Sequence, residues 1–321
     1  MRLGLRRLLR TFRAENAPDF PEIEAFSWSP PPGHRNFGYR NFGDHLARVI
    51  VSKVLADHGH LLEEEVVRPC RLFSVGSVMH FARSGDVVWG SGVNGKEMDD
   101  SRHVYEHLDV RAVRGPLTRE FLGKRGIAAP EVFGDPALLL PHLFPGRFIR
   151  TGTKSHVVVP NLHDLKTVVK QGVADVVSPL QSWNRCVEQI LQAQFVVASS
   201  LHGIVIAEAF GIPARYVRLS EWEKPFKYDD YALGTGRDRM EFARSIEEAL
   251  EMGGMKPPSF DHKALLAAFP IDLWRPVGTC SAIVANALGV WHSSGDACLQ
   301  QLRKVGQCDA LDHGRDVERT D

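Results

Sequence analysis

The chain of 321 residues has few cysteines, no long apolar run and no excess of either charge. The five cysteines are scattered and form no CxxC pair, which argues against a disulfide framework or a zinc cluster and fits a reducing compartment. No segment approaches the roughly 18 consecutive apolar residues of a membrane span. The formal net charge is +0, so bulk charge gives no argument for nucleic-acid binding.

Common phosphate and metal motifs are also missing. The sequence has no GxxxxGK[ST] loop and no complete GxGxxG. His103 and His107 are four residues apart, but no HExxH accompanies them. We therefore predict no metal site.

The length suggests two domains, because it exceeds the usual size of one. We predict a lead-in segment at 1–35, a first domain at 36–150, a second at 151–276 and a partly disordered tail at 277–321. The lead-in starts with leucines and arginines in alternation and lacks the apolar core of a signal peptide. It fits either a soluble helix or a basic amphipathic helix on anionic lipid.

Short apolar runs followed by glycine-rich turns and helical patterns predict an α/β fold. We expect strands near 72–75, 87–89, 110–113, 132–133, 156–159, 195–198 and 216–219. We expect helices after residue 44 and at 117–122, 182–193 and 204–210. Segment 19–35 is proline-rich and predicted extended and irregular, and the polar segment 221–239 is predicted to be a loop.

The sequence SSLHG at 199–203 joins a predicted buried strand to an apolar helix. A helix N-terminus attracts anions, and ligands of open α/β sheets bind at the carboxyl ends of strands. Hydroxyls, an imidazole and a glycine therefore meet at a candidate anion site. The alternative is a serine-capped core helix. The candidate residues are Ser199, Ser200, His202 and Gly203.

Three other loops follow strands or precede helices and can face the same crevice. They contribute Asn41, Gly43 and Asp44, then Gly90, Ser91 and Gly92, and finally Arg114. Arg114 suits bidentate binding of phosphate or carboxylate, with a surface ion pair as the alternative. Asp44 and Asp135 each suit acid–base work or acceptance of a substrate hydroxyl. The alternatives are a helix cap for Asp44 and an Asx-turn for Asp135, and the proline after Asp135 favours the Asx-turn. Lys224 and Lys227 either reach an anion or belong to a solvated loop.

Taken in order, these motifs resemble the polysaccharide pyruvyl transferase family, with succinoglycan-type ketal pyruvyl transferases as the nearest type. The motifs are NFGD, GSG, VRGPLT, VFGDPALLL, VVVPNLHD, SSLHGIVIAEAFGIP and the lysine- and tyrosine-rich loop before GTGR. The resemblance spans about residues 36–275.

The resemblance implies two Rossmann-like domains facing a cleft, as in GT-B glycosyltransferases. It implies transfer of pyruvate from phosphoenolpyruvate to two hydroxyls of a sugar as a cyclic ketal, with no cofactor beyond that donor. The acceptor would be an exopolysaccharide or its lipid-linked precursor. The protein would be cytoplasmic, at the inner face of the cytoplasmic membrane, with the basic N-terminus as a peripheral contact.

In the family, the residues matching Arg114 and His202 serve the phosphoenolpyruvate site, and we expect His202 to be the general acid. Asp44 is our candidate for orienting or deprotonating the acceptor. Some members have an arginine where this chain has Ser200. We expect Lys224, Lys227 or Arg237 to replace that charge, or the helix N-terminus and hydroxyls to suffice.

Two other functions remain open at this stage. The first is a GT-B glycosyltransferase that uses a nucleotide sugar. The second is a catalytically silent binding subunit of a polysaccharide assembly complex, which the missing arginine allows.

Overall fold

The computed structural model describes residues 20–29 and 41–275. The predicted basic N-terminal helix and the predicted tail at 277–321 lie outside these residues.

The first half contains a parallel four-stranded sheet whose strands follow chain order. Its strands are β1 (Ile23–Ala25), β2 (Cys70–Phe73), β3 (Val87–Trp89) and β4 (Asp109–Ala112). An isolated parallel bridge between Val113 and Phe133 follows β4. The strands are mostly apolar because a parallel sheet is covered on both faces.

The second half repeats this arrangement. A second parallel sheet orders β5 (Lys154–Val159), β6 (Ala193–Ala198), β7 (Ala214–Val217) and β8 (Phe242–Ala243) in chain order. The expected α/β class is confirmed, and two parallel sheets are compatible with two Rossmann-like units. The predicted domain boundary near 150 lies between the sheets and stays a prediction.

The helices that cover these sheets are mostly short. They are α1 (Phe42–Asp57), α2 (Pro116–Gly123), α3 (Leu140–Leu143), α4 (Leu165–Lys170), α5 (Trp183–Ile190), α6 (Leu201–Ala209), α7 (Phe226–Gly234), α8 (Ile246–Met252) and α9 (His262–Ala267). Helix α2 begins with Pro116, where a missing N–H costs nothing. Helix α6 ends before Gly211, whose φ of 71° favours glycine.

One apolar core runs through both halves. It contains Leu46 and Ile50 of α1, Ile190 of α5 and Ile204 of α6, all at most 1% exposed. The N–H of Phe42 donates to the carbonyl of Pro179 at 2.9 Å. The start of α1 is thereby fixed against the second half of the chain.

Two sequence predictions were wrong. Segment 221–239, predicted as a loop, contains α7. The proline-rich segment 19–35, predicted as extended and irregular, is extended at Ile23–Ala25, but these residues form the regular strand β1, which pairs with β2. Within the described ranges, no helix is both long enough and apolar enough to cross a bilayer.

Candidate active site

A cavity of about 380 Å³ lies where loops of both halves meet. Because all strands of each sheet are parallel, the loops after β2, β3, β5 and β6 leave carboxyl ends of strands. Five of the predicted site residues line the cavity, namely Asn41, Asp44, Ser200, His202 and Lys227. The two halves of the sequence thus contribute side chains to one space.

The N-terminus of α6 forms one wall of the cavity. Ser200 caps this helix, and its hydroxyl accepts the N–H of Gly203 at 3.3 Å. Gly203 has no room for a side chain, because a Cβ would lie 2.8 Å from Val159. The close contact with β5 sets the helix so that Ser200, Leu201 and His202 border the cavity.

The imidazole of His202 lies between two other segments. On one side it packs against Gly43, where an added Cβ would lie 2.2 Å from Nδ1. On the other side Nε2 lies 3.7 Å from Oδ2 of Asp135. The ring is largely buried, with 11% of its side chain exposed.

Asp44 lies in the first turn of α1, just after the cap formed by Asn41, whose side chain accepts the N–H of Gly43. Burial raises the pKa of Asp44 from 3.8 to about 6, although the charges of His202 and Lys227 act in the opposite direction. This carboxyl is therefore able to exchange protons close to neutral pH.

Lys227 enters the cavity from α7 and forms an ion pair with Glu223. The other oxygen of Glu223 accepts from Nζ of Lys96 at 2.6 Å. Burial lowers the pKa of Lys227 against the effect of Glu223. Burial raises the pKa of Glu223, but Lys227 and Lys96 outweigh it and the net shift is downward. The three charges sum to one positive charge at the cavity wall.

Arg114 is fully buried and lies outside the cavity lining. Its guanidinium forms an ion pair with Asp230 at 3.0 Å and donates to the carbonyl of Val93 at 2.6 Å. It also donates to Ser77 Oγ at 2.5 Å, and Ser77 does line the cavity. The ion pair of Arg114, which the sequence allowed as a surface ion pair, is therefore buried. Contact between Arg114 and substrate stays a prediction.

The other predicted residues lie outside the cavity lining, and several of them support its walls. Gly92 packs on the guanidinium of Arg114, where a Cβ would lie 2.5 Å from Cζ. The hydroxyls of Ser91 and Ser199 bond to Gly76 O and Asn161 N, and Gly90 adopts a φ of 90°.

Two predicted cations lie outside the cavity lining. Lys224 is exposed, and Arg237 is bound to both oxygens of Glu208. Substrate contacts for these residues also stay predictions.

Several lining residues were not predicted. They include Ser77, His80, Asn94, Lys96, Glu97, Arg102, Asn161, His163 and Glu223. Asn161 belongs to the PNLHD motif that follows β5, so its position after a buried strand was a usable signal. Lys96 follows the GSG turn by four residues, but only its contact with Glu223, 127 positions away, identifies it.

For Asp135 the sequence favoured an Asx-turn over an acid–base role. Its Oδ1 does accept the N–H of Ala137 at 3.0 Å, which confirms the Asx-turn. Its second oxygen faces His202. In the part of the chain that the structure describes, no three His, Cys, Asp or Glu side chains are grouped so as to hold a metal ion.

Fold and site together define an α/β protein with two parallel sheets and a cavity that combines an imidazole, a carboxyl and a lysine at a helix N-terminus. The polysaccharide pyruvyl transferase family model matches residues 41–221, more than half of the chain. The chain belongs to that family, as its motifs predicted.

Comparisons with individual proteins give less information than the family model. The chain is 29% identical over 206 residues to the succinoglycan biosynthesis protein ExoV of Rhizobium meliloti (strain 1021), which covers 61% of this chain and 62% of the relative. The expected similarity to a succinoglycan-type protein is confirmed. A solved structure of an uncharacterised protein from Klebsiella pneumoniae subsp. pneumoniae NTUH-K2044 aligns with a TM-score of 0.42 and 12% identity, over 76% of this chain and 99% of that one. A likeness at that level supports no inference.

Proposed function

We propose that this protein transfers the pyruvyl group of phosphoenolpyruvate to two hydroxyls of a polysaccharide sugar or its lipid-linked precursor, forming a cyclic ketal and releasing phosphate. Family membership supports the reaction class. The observation that carries the proposal is the single cavity that holds His202, Asp44 and Lys227 beside the N-terminus of α6. A GT-B-like pair of domains around this cavity, at the inner face of the cytoplasmic membrane, is part of the proposal.

The donor carries a phosphate and a carboxylate, so it needs positive potential. The N-terminus of α6 offers backbone N–H groups and the positive end of its dipole. Lys227 of α7 lines the cavity, whereas Lys224 in the preceding loop is exposed outside the lining. We assign to Lys227, with Lys96, the charge that other members take from the arginine at the position of Ser200.

The reaction begins with protonation of C3, which makes C2 of the donor electrophilic. His202 supplies this proton, a form of acid catalysis worth roughly 10²–10⁴-fold. A sugar hydroxyl attacks C2 and gives its proton to Asp44, whose pKa of about 6 suits a base near neutral pH. The C2–O bond to phosphate then breaks and its electron pair leaves with the phosphate. The second hydroxyl bonds to C2, which closes the ketal, and gives its proton to the departing phosphate.

The test is phosphate release from phosphoenolpyruvate by the purified protein, with and without an extract of lipid-linked oligosaccharides. We expect release only with the extract, and a drop of roughly 10²-fold or more in His202→Ala. His107→Ala is the matched control, because His107 is exposed and lies outside the cavity lining.

Equal rates in wild type and His202→Ala would remove His202 from the acid role. No release under any condition, combined with binding of a nucleotide sugar, would replace the proposal with a glycosyltransferase. Binding of phosphoenolpyruvate without turnover, with co-purification of assembly proteins, would indicate a silent subunit.

A further inference from the structure

The carboxyl of Asp135 is divided between two tasks. Oδ1 accepts the N–H of Ala137 at the start of the turn Pro136–Leu139. Oδ2 is buried, has no hydrogen-bond partner among the described residues, and faces Nε2 of His202 at 3.7 Å. Nε2 is likewise buried without a hydrogen-bond partner in the described part of the chain. Two buried polar atoms without hydrogen-bond partners therefore lie 3.7 Å apart.

A capping role alone does not explain this burial. Asp99 and Asp261 also accept a backbone N–H two residues on, and both are exposed. Asp135 is 0% exposed, which is costly for a carboxylate unless a cation or donor faces it. The donor that the fold supplies is the imidazole of His202.

The turn that carries Asp135 is fixed in place. A Cβ at Gly90 would lie 2.4 Å from Pro136 and 2.9 Å from Gly134 O, so the turn after β3 packs directly against it. Gly134 itself has a φ of 142°, a conformation that favours glycine. The carboxyl of Asp135 is therefore held toward α6 and away from solvent.

We propose that Asp135 is a positioning residue that keeps a proton on Nε2 of His202 and leaves Nδ1 as the nitrogen that exchanges a proton with substrate. Gly43 makes the second half of this arrangement possible, because any side chain there would collide with Nδ1. The catalytic consequence rests on the proposed pyruvyl transfer, whereas the pairing itself does not.

The two ring nitrogens of His202 have different tasks in the proton transfer. Charged His202 carries N–H groups at both positions, and the negative charge of Asp135 stabilises that form. Transfer of the Nδ1 proton to C3 of the donor leaves a neutral ring with its proton on Nε2, still facing Asp135. Catalytic hydrogen bonds are often long without substrate, so a separation of 3.7 Å is consistent with a bond that tightens when the ring is charged.

Other ionisable groups surround this pair. The charges of His202 and of Lys227 on α7 act on Asp44 of α1, and the charge of Asp135 acts on Tyr231 of α7. Asp44 therefore also stabilises a charged ring of His202, so a change in ring charge alone does not identify the effect of Asp135. The tautomer of the neutral ring does identify it, because Asp135 faces Nε2 and Gly43 faces Nδ1.

The direct test is ¹⁵N NMR of the histidine rings in wild type and Asp135→Asn, with His202 assigned from its absence in His202→Gln. In wild type we expect the neutral ring to carry its proton on Nε2. In Asp135→Asn the amide oxygen stays on the N–H of Ala137, so the NH₂ group faces Nε2 and moves the proton to Nδ1. Asn is itself a good capping residue, which favours retention of the fold.

The kinetic test compares the same variant with Asp261→Asn, a matched loss of a capping carboxylate. We expect kcat of Asp135→Asn to fall by about 10²-fold or more, with little change in KM for phosphoenolpyruvate. Asp135→Asn removes a negative charge 3.7 Å from the ring and with it the attraction to the charged form. The activity of this variant should therefore decline at a lower pH than that of wild type. Asp261→Asn keeps the wild-type profile.

The outcomes separate the two claims. A wild-type neutral ring with its proton on Nδ1, or an unchanged tautomer and pH profile in Asp135→Asn, overturns the pairing. The expected tautomers in a protein that releases no phosphate leave the pairing intact and overturn the proposed function instead. The wild-type spectrum alone decides the tautomer if the variant does not fold.

Discussion

At the scale of single residues, Asp44 has opposite effects on folding and on chemistry. Its pKa rises from 3.8 to about 6 because the folded protein buries the carboxyl. A group with a raised folded pKa binds its proton more tightly when folded. Stability therefore falls as pH rises from about 4 to about 6, and the loss persists above that range. The ionised carboxylate proposed as base is thus the form that the fold tolerates least.

We expect Asp44→Asn to be more stable than wild type at pH 8 and to lose most of its phosphate-release activity. The neutral amide avoids the cost of burying a charge. The gain should be about 1–3 kcal/mol in the free energy of unfolding, at the low end where the cavity admits solvent. Urea unfolding at pH 4 and pH 8 measures it, and the gain should shrink at pH 4.

The exposed Asp57 at the other end of α1 provides the control, and Asp57→Asn should show little pH-dependent gain. The difference in unfolding free energy between Asp44→Asn and wild type is compared at the two pH values. If this difference is less favourable to the variant at pH 8 than at pH 4, the ionised carboxylate makes favourable contacts.

At the scale of elements, α7 is connected to the first sheet by one buried group. Asp230 accepts from the backbone N–H of Thr118 at 2.9 Å, from its hydroxyl at 2.7 Å and from Nε of Arg114 at 3.1 Å. These bonds join α7 to the start of α2 and to the end of β4. Because Lys227 is on the same helix, this connection also sets the cavity wall.

We expect Arg114→Ala and Asp230→Ala each to lower the free energy of unfolding by about 3–5 kcal/mol, since each leaves a buried charge unpaired. The double variant should lose clearly less than the sum, because no charge is then left alone. Chemical denaturation of the three variants and wild type gives the coupling energy. Full stability of Arg114→Ala, with activity lost, would return Arg114 to the substrate site.

The same element shows where prediction from sequence stops. The segment KPFKYDDY is polar, and its buried positions Tyr228, Asp230 and Tyr231 show no apolar stripe of helical spacing. Asp230 is buried because Arg114, 116 residues earlier, neutralises it. Helix α6 was predictable because its own residues are apolar, and Asp135 was only half predictable because its cap is local and its contact with His202 is not.

At the scale of the whole molecule, the parallel sheets explain why most strands could be predicted. Strands covered on both faces are short continuous apolar runs, and β3 and β6 have that pattern. β1 does not, because its three residues form a strand only by pairing with β2. The cavity was predicted in outline, since loops at the carboxyl ends of strands converge. The ion pairs that shape it join distant positions and could not be predicted.

The two halves share one apolar core, and loops of both halves line one cavity. Under the proposed function phosphoenolpyruvate binds in this cavity, which loops of both halves line, so it should stabilise them together. At a concentration of 100 Kd, a ligand that binds only the folded state adds about 2.7 kcal/mol, which corresponds to a rise in Tm of roughly 5–10 °C for a unit of this size. Scanning calorimetry with and without the donor measures this rise.

Variants of Lys227 in α7 and of Lys224 in the preceding loop test where the proposed donor binds. Lys227 lines the cavity and Lys224 lies outside its lining, so Lys227→Ala should lose most of the rise in Tm and Lys224→Ala should keep it. Each variant is compared with its own Tm without ligand, because a substitution also changes the stability of the ligand-free protein. Glu223 retains Lys96 as a partner when Lys227 is removed. A rise that disappears in Lys224→Ala but persists in Lys227→Ala would place the donor on the outer surface of the loop. It would then separate the phosphate site from His202 and Asp44.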